Sequence, residues 1–410
     1  MLTLLIYLWL YMFPFPLTEM NLSSIEMDYY FRFIAWLNGL ASKLLFGISG
    51  LHSKVQTEGT GDTRYDYSML VTLPVLAGIL AVVVWIFTRK SASYNGFYRL
   101  TVIYARYFVG LYLLLYSASK FMESQFPLPR FEDLERTYGD LSPMDLLWLF
   151  MGYAPAYCAF TAFGEFLGGF FLLFRRTIVI GGLITMAAMS NVVMLNYTYD
   201  VPVKLFSTHL FLIALFVISP NIRQLYGLFF LNQAAKMANP DPIIFREKWM
   251  RPTWLVLKTF LIVGAPILIL HEEWVRKPDQ AHLKTNGTYI VNQFERNGQR
   301  LPLEIGNSLV WRKMILENGE ARIFTLNDSL ALYKTKIDLT NQRLAFQSIS
   351  NNSEQFILKF EQKSEKQFIM KGVYFGDSIT VYFTRKSKSD YKLINRGFHW
   401  INEYPHYQIY

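Results

Sequence analysis

Cysteine and histidine are scarce in this sequence of 410 residues, and the scarcity of each excludes a kind of site. Cys158 is the single cysteine, so the chain can form neither an internal disulfide nor a C-x-x-C thiol relay. The six histidines show no spacing typical of a metal site, and no P-loop, G-x-S-x-G or H-E-x-x-H motif occurs. The familiar motifs of soluble enzymes therefore indicate no reaction.

Apolar residues, in contrast, are abundant and bunched. They make up 52% of the chain, against 17% charged residues, and they gather into runs of about 20 residues, the length that crosses roughly 30 Å of hydrocarbon. We predict a polytopic α-helical membrane protein with about seven spans, at residues 1–19, 68–88, 101–121, 153–174, 177–196, 205–219 and 253–271. The first is interpreted as an uncleaved span, because it lacks the basic start and small-residue exit of a cleaved signal peptide.

Two further apolar segments are poorer candidates for spans. Residues 28–48 are interrupted by Arg32 and Lys43, which favours an interfacial or re-entrant helix, with an eighth span as the alternative. Ser142 as N-cap, followed by Pro143 and Asp145, predicts a second helix that is too short to span. We expect this helix to lie at the outer interface as a lid over the bundle.

The short loops predict the orientation, because Lys and Arg collect on the cytoplasmic side of a membrane. Residues 89–99, 175–176 and 221–252 are rich in Lys and Arg, whereas residues 122–150 are predominantly acidic. The N-terminus is therefore expected in the cytoplasm and the C-terminus outside it.

Residues 276–410 hold no long apolar run. Eight short alternating stretches, separated by Asn-Gly, Asn-Asn and Gly-Asp turn signals, predict an antiparallel β-barrel or sandwich. This domain carries 20 Lys and Arg against 13 Asp and Glu, so +7 of the net charge of +9 lies there. A basic domain tethered to a membrane suits anionic headgroups, or is simply a solvated surface, and we expect no nucleic acid on the non-cytoplasmic side.

One apolar run keeps two cations on one face. At 100° per residue, a stripe about 80° wide holds Arg106, Gly110, Leu113, Ser117 and Lys120. Such a stripe belongs against other helices or a wet cavity rather than lipid. The alternative is that each cation snorkels to the headgroups.

Glu165 is the acid expected to form an ion pair with one of these cations. It precedes the double-arginine turn at 175–176 by about ten residues, which puts it roughly 15 Å from the cytoplasmic surface. A carboxylate at that depth must find a cation or a proton. We expect contact with Arg106, which enters from the same side, and leave Lys120 for a ligand or partner. The glycines beside Glu165 allow the alternative of plain helix packing with an incidental ion pair.

Other polar residues gather toward the predicted outer surface. Asn191 and His209 lie deeper than a loop explains, and we group them with Arg106, Ser117, Lys120 and Glu165 as a buried polar site. The predicted mouth of an outer pocket comprises Glu123, Asn196, Asp200 and Lys204.

Several of these residues match the motifs of a known family. Residues 97–235 resemble the four-helix DoxX-like family, whose R-x-x-x-G pattern running on to a Lys corresponds to Arg106, Gly110 and Lys120. The family's G-E-x-x-G-x-x-L motif corresponds to Gly164, Glu165, Gly168 and Leu172. The family is named for a membrane subunit linked to thiosulfate:quinone oxidoreductase, and it includes a methylamine-utilisation membrane protein. The resemblance implies a quinone-linked oxidoreductase subunit, with quinone as the cofactor.

The full arrangement, including "GTGDTRYDY" and "NRGFHWINEYP", is similar to uncharacterised bacterial membrane proteins with a DoxX-like core and an outer barrel. That similarity implies a multi-pass protein of the bacterial inner membrane with a periplasmic C-terminal domain. The predicted domains are N-terminal spans at 1–96, a four-helix bundle at 97–235, a cytoplasmic loop and last span at 236–275, and a β domain at 276–410.

Two classes of function are compatible with this sequence. In the first, the bundle binds a lipid or small hydrophobic ligand, or positions a periplasmic or membrane protein partner, and the β domain is the recognition module. In the second, a quinone-like ring is held by Arg106, Glu165 and His209 in a redox protein. The lack of a redox cysteine, a haem-ligand histidine pair or a flavin signature favours the first class, and the sequence does not decide whether the chain is an enzyme.

Overall fold

The computed structural model describes residues 1–15, 25–48, 61–88, 93–234, 236–237, 248–260, 264, 285–351 and 354–401. The chain divides into two compact units. The helical one, here the bundle unit, comprises Met1–Pro127 and Ser142–Trp274. The other, the barrel unit, comprises Leu128–Leu141 and Val275–Tyr410, so it includes a loop that precedes its strands by more than a hundred residues.

The bundle unit consists of helices of very different length. They are α1 (Leu2–Met12), α2 (Ile25–Phe46), α3 (Arg64–Thr88) and α4 (Asn95–Phe121), and, after α5 (Phe131–Glu135) of the barrel unit, α6 (Pro143–Tyr153), α7 (Pro155–Leu172), α8 (Ile178–Thr198), α9 (Lys204–Ile218), α10 (Ile222–Leu231) and α11 (Met250–Thr259). A short 3₁₀ turn, Ser219–Asn221, joins α9 to α10.

Four helices in the described part of the chain are long and apolar enough to cross a membrane: α3, α4, α8 and the continuous segment Lys204–Leu231. The pair α6 and α7, bent by 97°, would make a fifth if it forms one span. The predicted count of seven is therefore not confirmed. Residues 253–271 lie largely outside the described residues, and α1 ends at Met12 because Pro14 disfavours helical geometry at Phe13.

Four of these helices form a closed ring, in which α4 packs on α7, α7 on α8, α8 on α9, and α9 on α4. Glycines set the closest approaches. A Cβ at Gly169 would lie 2.6 Å from the carbonyl oxygen of Gly110, and one at Gly181 would lie 2.7 Å from the backbone nitrogen of Leu172. Small residues that let backbones meet are typical of helix contacts in membranes.

The helix predicted from Ser142 is present as α6. The Ser142 side chain accepts from the Asp145 backbone N–H, Asp145 accepts from the Ser142 backbone N–H, and Pro143 occupies the first turn. Its Leu147 and Met151 pack in an apolar cluster with Cys158 of α7 and with two loop residues, Phe126 after α4 and Val201 before α9. The predicted position at the membrane interface stays a prediction.

Of the predicted segment 28–48, residues 28–46 lie in α2, which packs against α3 through polar side chains. Asn38 is completely buried, donates to the carbonyl of Tyr65 at 3.3 Å, and accepts from Ser68 at 2.8 Å and Thr72 at 2.9 Å. Ser42 bonds the Ser68 hydroxyl in the same seam. The structure does not place α2 among the candidate spans of the described residues.

The barrel unit contains nine strands in the described residues. They are β1 (Gly287–Arg296), β2 (Gln299–Leu301), β3 (Trp311–Glu317), β4 (Glu320–Thr325), β5 (Leu330–Asp338), β6 (Arg343–Ser348), β7 (Gln355–Gln362), β8 (Gln367–Tyr374) and β9 (Asp377–Lys386). A short helix, α12 (Lys392–Asn395), follows them.

Eight of the strands close into an antiparallel barrel, because β9 pairs back with β1, while β2 pairs with β1 as a short hairpin. Each of the eight predicted stretches is a strand of this barrel, so the prediction is confirmed and the sandwich alternative is excluded. An eight-stranded barrel is just narrow enough for side chains to fill. Here the interior holds large, almost fully buried residues, among them Trp311, Tyr289, Tyr333 and Phe346.

The loop at residues 128–141, here the docked loop, packs on this barrel. Phe131 is buried, and its backbone N–H donates to Glu317 at 2.9 Å. Glu135 accepts from Lys313 at 2.7 Å and from the Tyr391 hydroxyl at 2.8 Å. Acidic residues of the loop thus meet basic residues of the barrel, which offsets part of the charge excess that the sequence shows.

Candidate functional site

Lys120 on α4 and Glu165 on α7 form an ion pair in the interior of the bundle unit. Their side chains are 7% and 4% exposed. The sequence predicted Arg106 as the partner of Glu165, and that prediction is wrong. Lys120, which we left for a ligand or partner, is instead the partner of Glu165 and is buried with the rest of its stripe.

The direction of side chains on a helix explains the correction. Gly110 contacts Gly169, and α4 runs antiparallel to α7, so Glu165 lies roughly one turn beyond that contact, level with Leu114. Side chains on a helix lean toward its N-terminus. Lys120 therefore leans back toward Glu165, whereas Arg106 leans away from it.

Arg106 is buried without a carboxylate partner among the described residues. Its Nη2 donates to the Tyr107 hydroxyl at 3.2 Å, and its guanidinium lies 4.9 Å from the centroid of the Tyr107 ring. The predicted burial of the stripe is confirmed, because Gly110, Leu113 and Ser117 are buried with both cations. The two cations of the stripe nevertheless lie in separate environments, because Lys120 contacts Glu165 and Arg106 contacts Tyr107.

The remaining predicted residues do not converge on the ion pair. Asn191 is exposed on the surface of α8, and Glu123 is exposed after α4. Asn196 is buried, but its amide donates to Ser207 at 2.9 Å across the contact of α8 with α9. Lys204 pairs with the exposed Asp200 at 2.7 Å, at the start of α9.

His209 belongs to a different polar environment, formed with α1. Its Nδ1 lies 2.6 Å from the carbonyl oxygen of Leu205, which can only accept, so Nδ1 carries the hydrogen. In the neutral imidazole, Nε2 then accepts from the Tyr7 hydroxyl at 2.6 Å. The ring of Tyr11 stacks on the imidazole with centroids 4.0 Å apart and planes 11° apart.

This imidazole lines a cavity of about 1250 Å³ within the bundle unit, walled by α1, α2, α3, α4 and α9. Ten of the lining residues are aromatic: Tyr7, Tyr11, Phe13, Tyr30, Phe31, Trp36, Tyr65, Tyr112, Tyr116 and Phe206. Among the described residues, the charged ones in the lining are Arg32, Asp62 and Asp66. We call this space the cavity.

The shortness of α1 accounts for the cavity. Its 11 residues extend about 16 Å, roughly half of a hydrocarbon core. Trp9 donates to Thr101, and the carbonyls of Met12 and Phe15 accept from Tyr104, so α1 covers the first half of α4. The cavity lies against the second half of α4, which presents Tyr112 and Tyr116.

The two cavity carboxylates already hold backbone donors. Asp62 accepts from the backbone N–H of Lys204 at 2.6 Å and of Leu205 at 3.0 Å, which caps the start of α9. Asp66 accepts from the backbone and hydroxyl of Thr63 at 2.9 and 2.8 Å, at the start of α3. The segment "GDTRYDY" therefore holds two helix ends together beside the cavity.

Other groups in the wall are donors. The Tyr11 hydroxyl has no hydrogen-bond partner among the residues that the structure describes, and Arg32 adds a positive charge. With its carboxylates engaged and a phenol available, the cavity suits a ligand whose polar group accepts hydrogen bonds. Among the described residues, no three His, Cys, Asp or Glu side chains group as a metal site requires.

The sequence did not predict the cavity, because its walls come from five helices and His209 is the one lining residue that was proposed as a site residue. One signal was present: Tyr7 and Tyr11, like Tyr112 and Tyr116, are four residues apart and so share a helix face. Paired tyrosines on two apolar segments could have suggested an aromatic wall.

Comparison with known proteins finds one partial similarity to report. No family model matches the chain, and no solved structure matches it. A stretch of 84 residues is 36% identical to the uncharacterized protein YwoB of Bacillus subtilis (strain 168). This stretch is 20% of the present chain and 54% of that relative, so the chain spans about half the length of the relative that it matches. The DoxX-like resemblance stays a prediction.

Proposed function

We propose that this chain is a multi-pass protein of a bacterial inner membrane whose bundle unit binds a lipid-like amphiphile in the cavity. The observation that carries the proposal is the cavity itself, about 1250 Å³ of space with a wall rich in aromatic residues among candidate spans. Small-molecule sites usually have volumes of about 300–1,000 Å³. A volume above that range supports a ligand of lipid size.

The wall also supports a choice of headgroup. The Asp62 and Asp66 carboxylates accept backbone hydrogen bonds, so they are poorly placed to recruit a cationic head. The phenol of Tyr11 favours a head that accepts a hydrogen bond, such as a carboxyl, an ester or a carbonyl group. The apolar side chains of Leu70 and Leu73 suit the tail.

A quinone-linked function is the second candidate, favoured by the group around His209. Quinone carbonyls accept hydrogen bonds. The Tyr7 hydroxyl lies 2.6 Å from His209 Nε2, so when the imidazole is protonated its Nε2–H donates to the Tyr7 oxygen, and the Tyr7 hydroxyl hydrogen is then available to a quinone carbonyl. The flat stack of Tyr11 on His209 is a surface on which an aromatic ring could pack. The two candidates differ in the identity of the ligand.

In this proposal the barrel unit is the recognition module for a periplasmic or membrane partner. Its interior is filled by its own side chains, so the outer surface is what remains for a partner. Part of its basic charge faces the docked loop, through Lys313 and Arg322.

Native mass spectrometry of the full-length protein in mild detergent, followed by extraction and identification of bound lipid, tests the proposal. We expect one amphiphile per chain in the wild type. Ala35→Trp projects an indole from the cavity wall and should displace the amphiphile, whereas Ala187→Trp, on an exposed position of α8, should retain it. An extracted quinone would support the second candidate. A wild type without a stoichiometric ligand, or equal retention in both variants, would refute ligand binding in the cavity.

A further inference from the structure

The Lys120–Glu165 pair has hydrogen-bonding capacity that the described residues do not use. Glu165 accepts from Lys120 through Oε1, while its Oε2 is fully buried and has no partner among the described residues. Lys120 has three N–H donors, and Glu165 is the acceptor that the structure gives it. A buried ion pair offsets its desolvation only when its remaining lone pairs and protons are also bonded.

The chemistry of the pair restricts what can complete it. A group that satisfies both residues must donate to the Glu165 oxygen and accept from the Lys120 ammonium. A cation would be repelled by Lys120, and an anion would be repelled by Glu165. A hydroxyl is the smallest group that donates one hydrogen bond and accepts others.

We propose that the pair is a second binding site, distinct from the cavity, that holds one hydroxyl group between Glu165 and Lys120. The hydroxyl belongs either to a water molecule or to the headgroup of a lipid, such as glycerol. This inference does not depend on the proposed function, because neither residue lines the cavity.

The packing around the pair favours retention of such a group. Cys158 lies seven residues before Glu165 on the same face of α7, and its thiol is 3.8 Å from the carbonyl oxygen of Lys120. Cys158 is 2% exposed and packs with Leu147 and Met151 of α6. The apolar cluster that includes α6 therefore covers the contact of α4 with α7 on the side of Cys158, and a hydroxyl held at the pair should be well ordered.

The test uses the full-length protein in nanodiscs, by infrared difference spectroscopy in H₂¹⁶O against H₂¹⁸O, together with native mass spectrometry. The variants are Lys120→Met and Glu165→Gln. The matched control is Lys204→Met, which removes a lysine from ion pairs with Asp200 at 2.7 Å and Asp62 at 4.0 Å, neither of them in the contact of α4 with α7. Bound water should give an O–H stretching band that shifts with ¹⁸O. A lipid hydroxyl should instead give one hydroxyl-bearing lipid per chain.

One of these two signals should be present in the wild type and in Lys204→Met. It should be lost in Lys120→Met and lost or shifted in Glu165→Gln. A wild type with neither signal would overturn the inference even if a variant fails to fold, and so would a signal unchanged in both pair variants. A lipid at this site is distinguished from a cavity ligand because Ala35→Trp should leave it in place.

Discussion

Glu165 is paired with Lys120, fourteen residues further along the stripe of α4 than the arginine that the sequence suggested. Both side chains are at least 93% buried. A buried pair is weak evidence of net stabilisation, because the desolvation of two charges offsets most of their attraction. Breaking it from one side is different, since that strands a charge in low dielectric.

Single substitutions of the pair should therefore be costly and non-additive. Lys120→Met or Glu165→Leu should each lower the free energy of unfolding by about 3–5 kcal/mol, and the double variant should lose less than the sum. Arg106→Leu should cost less than either, because it strands no carboxylate. The thermal stabilities of the wild type, the two single variants and the double variant in nanodiscs give these losses and their coupling. Additive losses for Lys120 and Glu165, or coupling of Arg106 with Glu165, would contradict the observed pairing.

The glycine contact of α4 with α7 gives a second prediction. A Cβ at Gly169 would lie 2.6 Å from the carbonyl oxygen of Gly110, so Gly169→Ala must push the helices apart. We expect a loss of about 1–3 kcal/mol. Gly164→Ala on the same helix is the matched control, because nothing lies within 4 Å of its Cβ position; alanine there should be neutral or stabilising by up to about 1 kcal/mol. Equal effects would mean that helix propensity, not contact, governs both sites.

Much of the architecture follows from local sequence patterns. Alternating residues and turn signals located all eight barrel strands, and Ser142, Pro143 and Asp145 located the start of α6. These features depend on neighbours in sequence. The partner of Glu165 does not, because it depends on which residues of α4 and α7 lie level with each other, and the contact of Gly110 with Gly169 sets that. The cavity depends on where α1 stops relative to α4, which no single segment encodes.

The docked loop gives a pH-dependent prediction. Burial acts to raise the pKa of Glu135, but hydrogen bonds from Lys313 and Tyr391 and the charge of Lys386 outweigh it, so the pKa is lowered. A lowered pKa means that stabilisation is present above the ordinary carboxyl pKa and is lost as the pH falls through the lowered value.

Glu135→Gln should accordingly cost about 1–2 kcal/mol at pH 7. The gap to the wild type should close as the pH falls below about 4. This difference in the free energy of unfolding is measured in the full-length protein across this pH range, with near-ultraviolet circular dichroism to monitor the unfolding of the barrel unit. Glu361→Gln, at a half-exposed surface pair, should change little. A pH-independent gap would mean that Glu135 acts through packing instead of charge.

The number of membrane crossings between the docked loop and the strands gives a prediction of topology. The docked loop and the strands form one compact unit, so residues 128–141 and 285–401 must lie on one side of any membrane. The chain must then cross an even number of times between them. The described part offers three crossings there: the bent pair of α6 and α7, then α8, then Lys204–Leu231. The span predicted from sequence at 253–271 would supply the fourth.

Reporter fusions check this arrangement. A reporter inserted at Tyr138 and one fused after Tyr410 should both be active outside the cytoplasm, whereas one near Tyr94 should report the cytoplasm. Reporters at Tyr138 and Tyr410 on opposite sides would rule out the fourth crossing.

The most direct test of the central claim, that the cavity binds an amphiphile, is the location of crosslinks from a photoreactive fatty acid. With the full-length protein in nanodiscs and the label carried on the chain, the account predicts crosslinks concentrated on Tyr11, Tyr65 and Tyr112, which should disappear in Ala35→Trp. Residues such as Phe160 and Phe163, which are 72% and 52% exposed, report ordinary contact with surrounding lipid. Crosslinks confined to those exposed positions, or cavity crosslinks that survive Ala35→Trp, would contradict the claim.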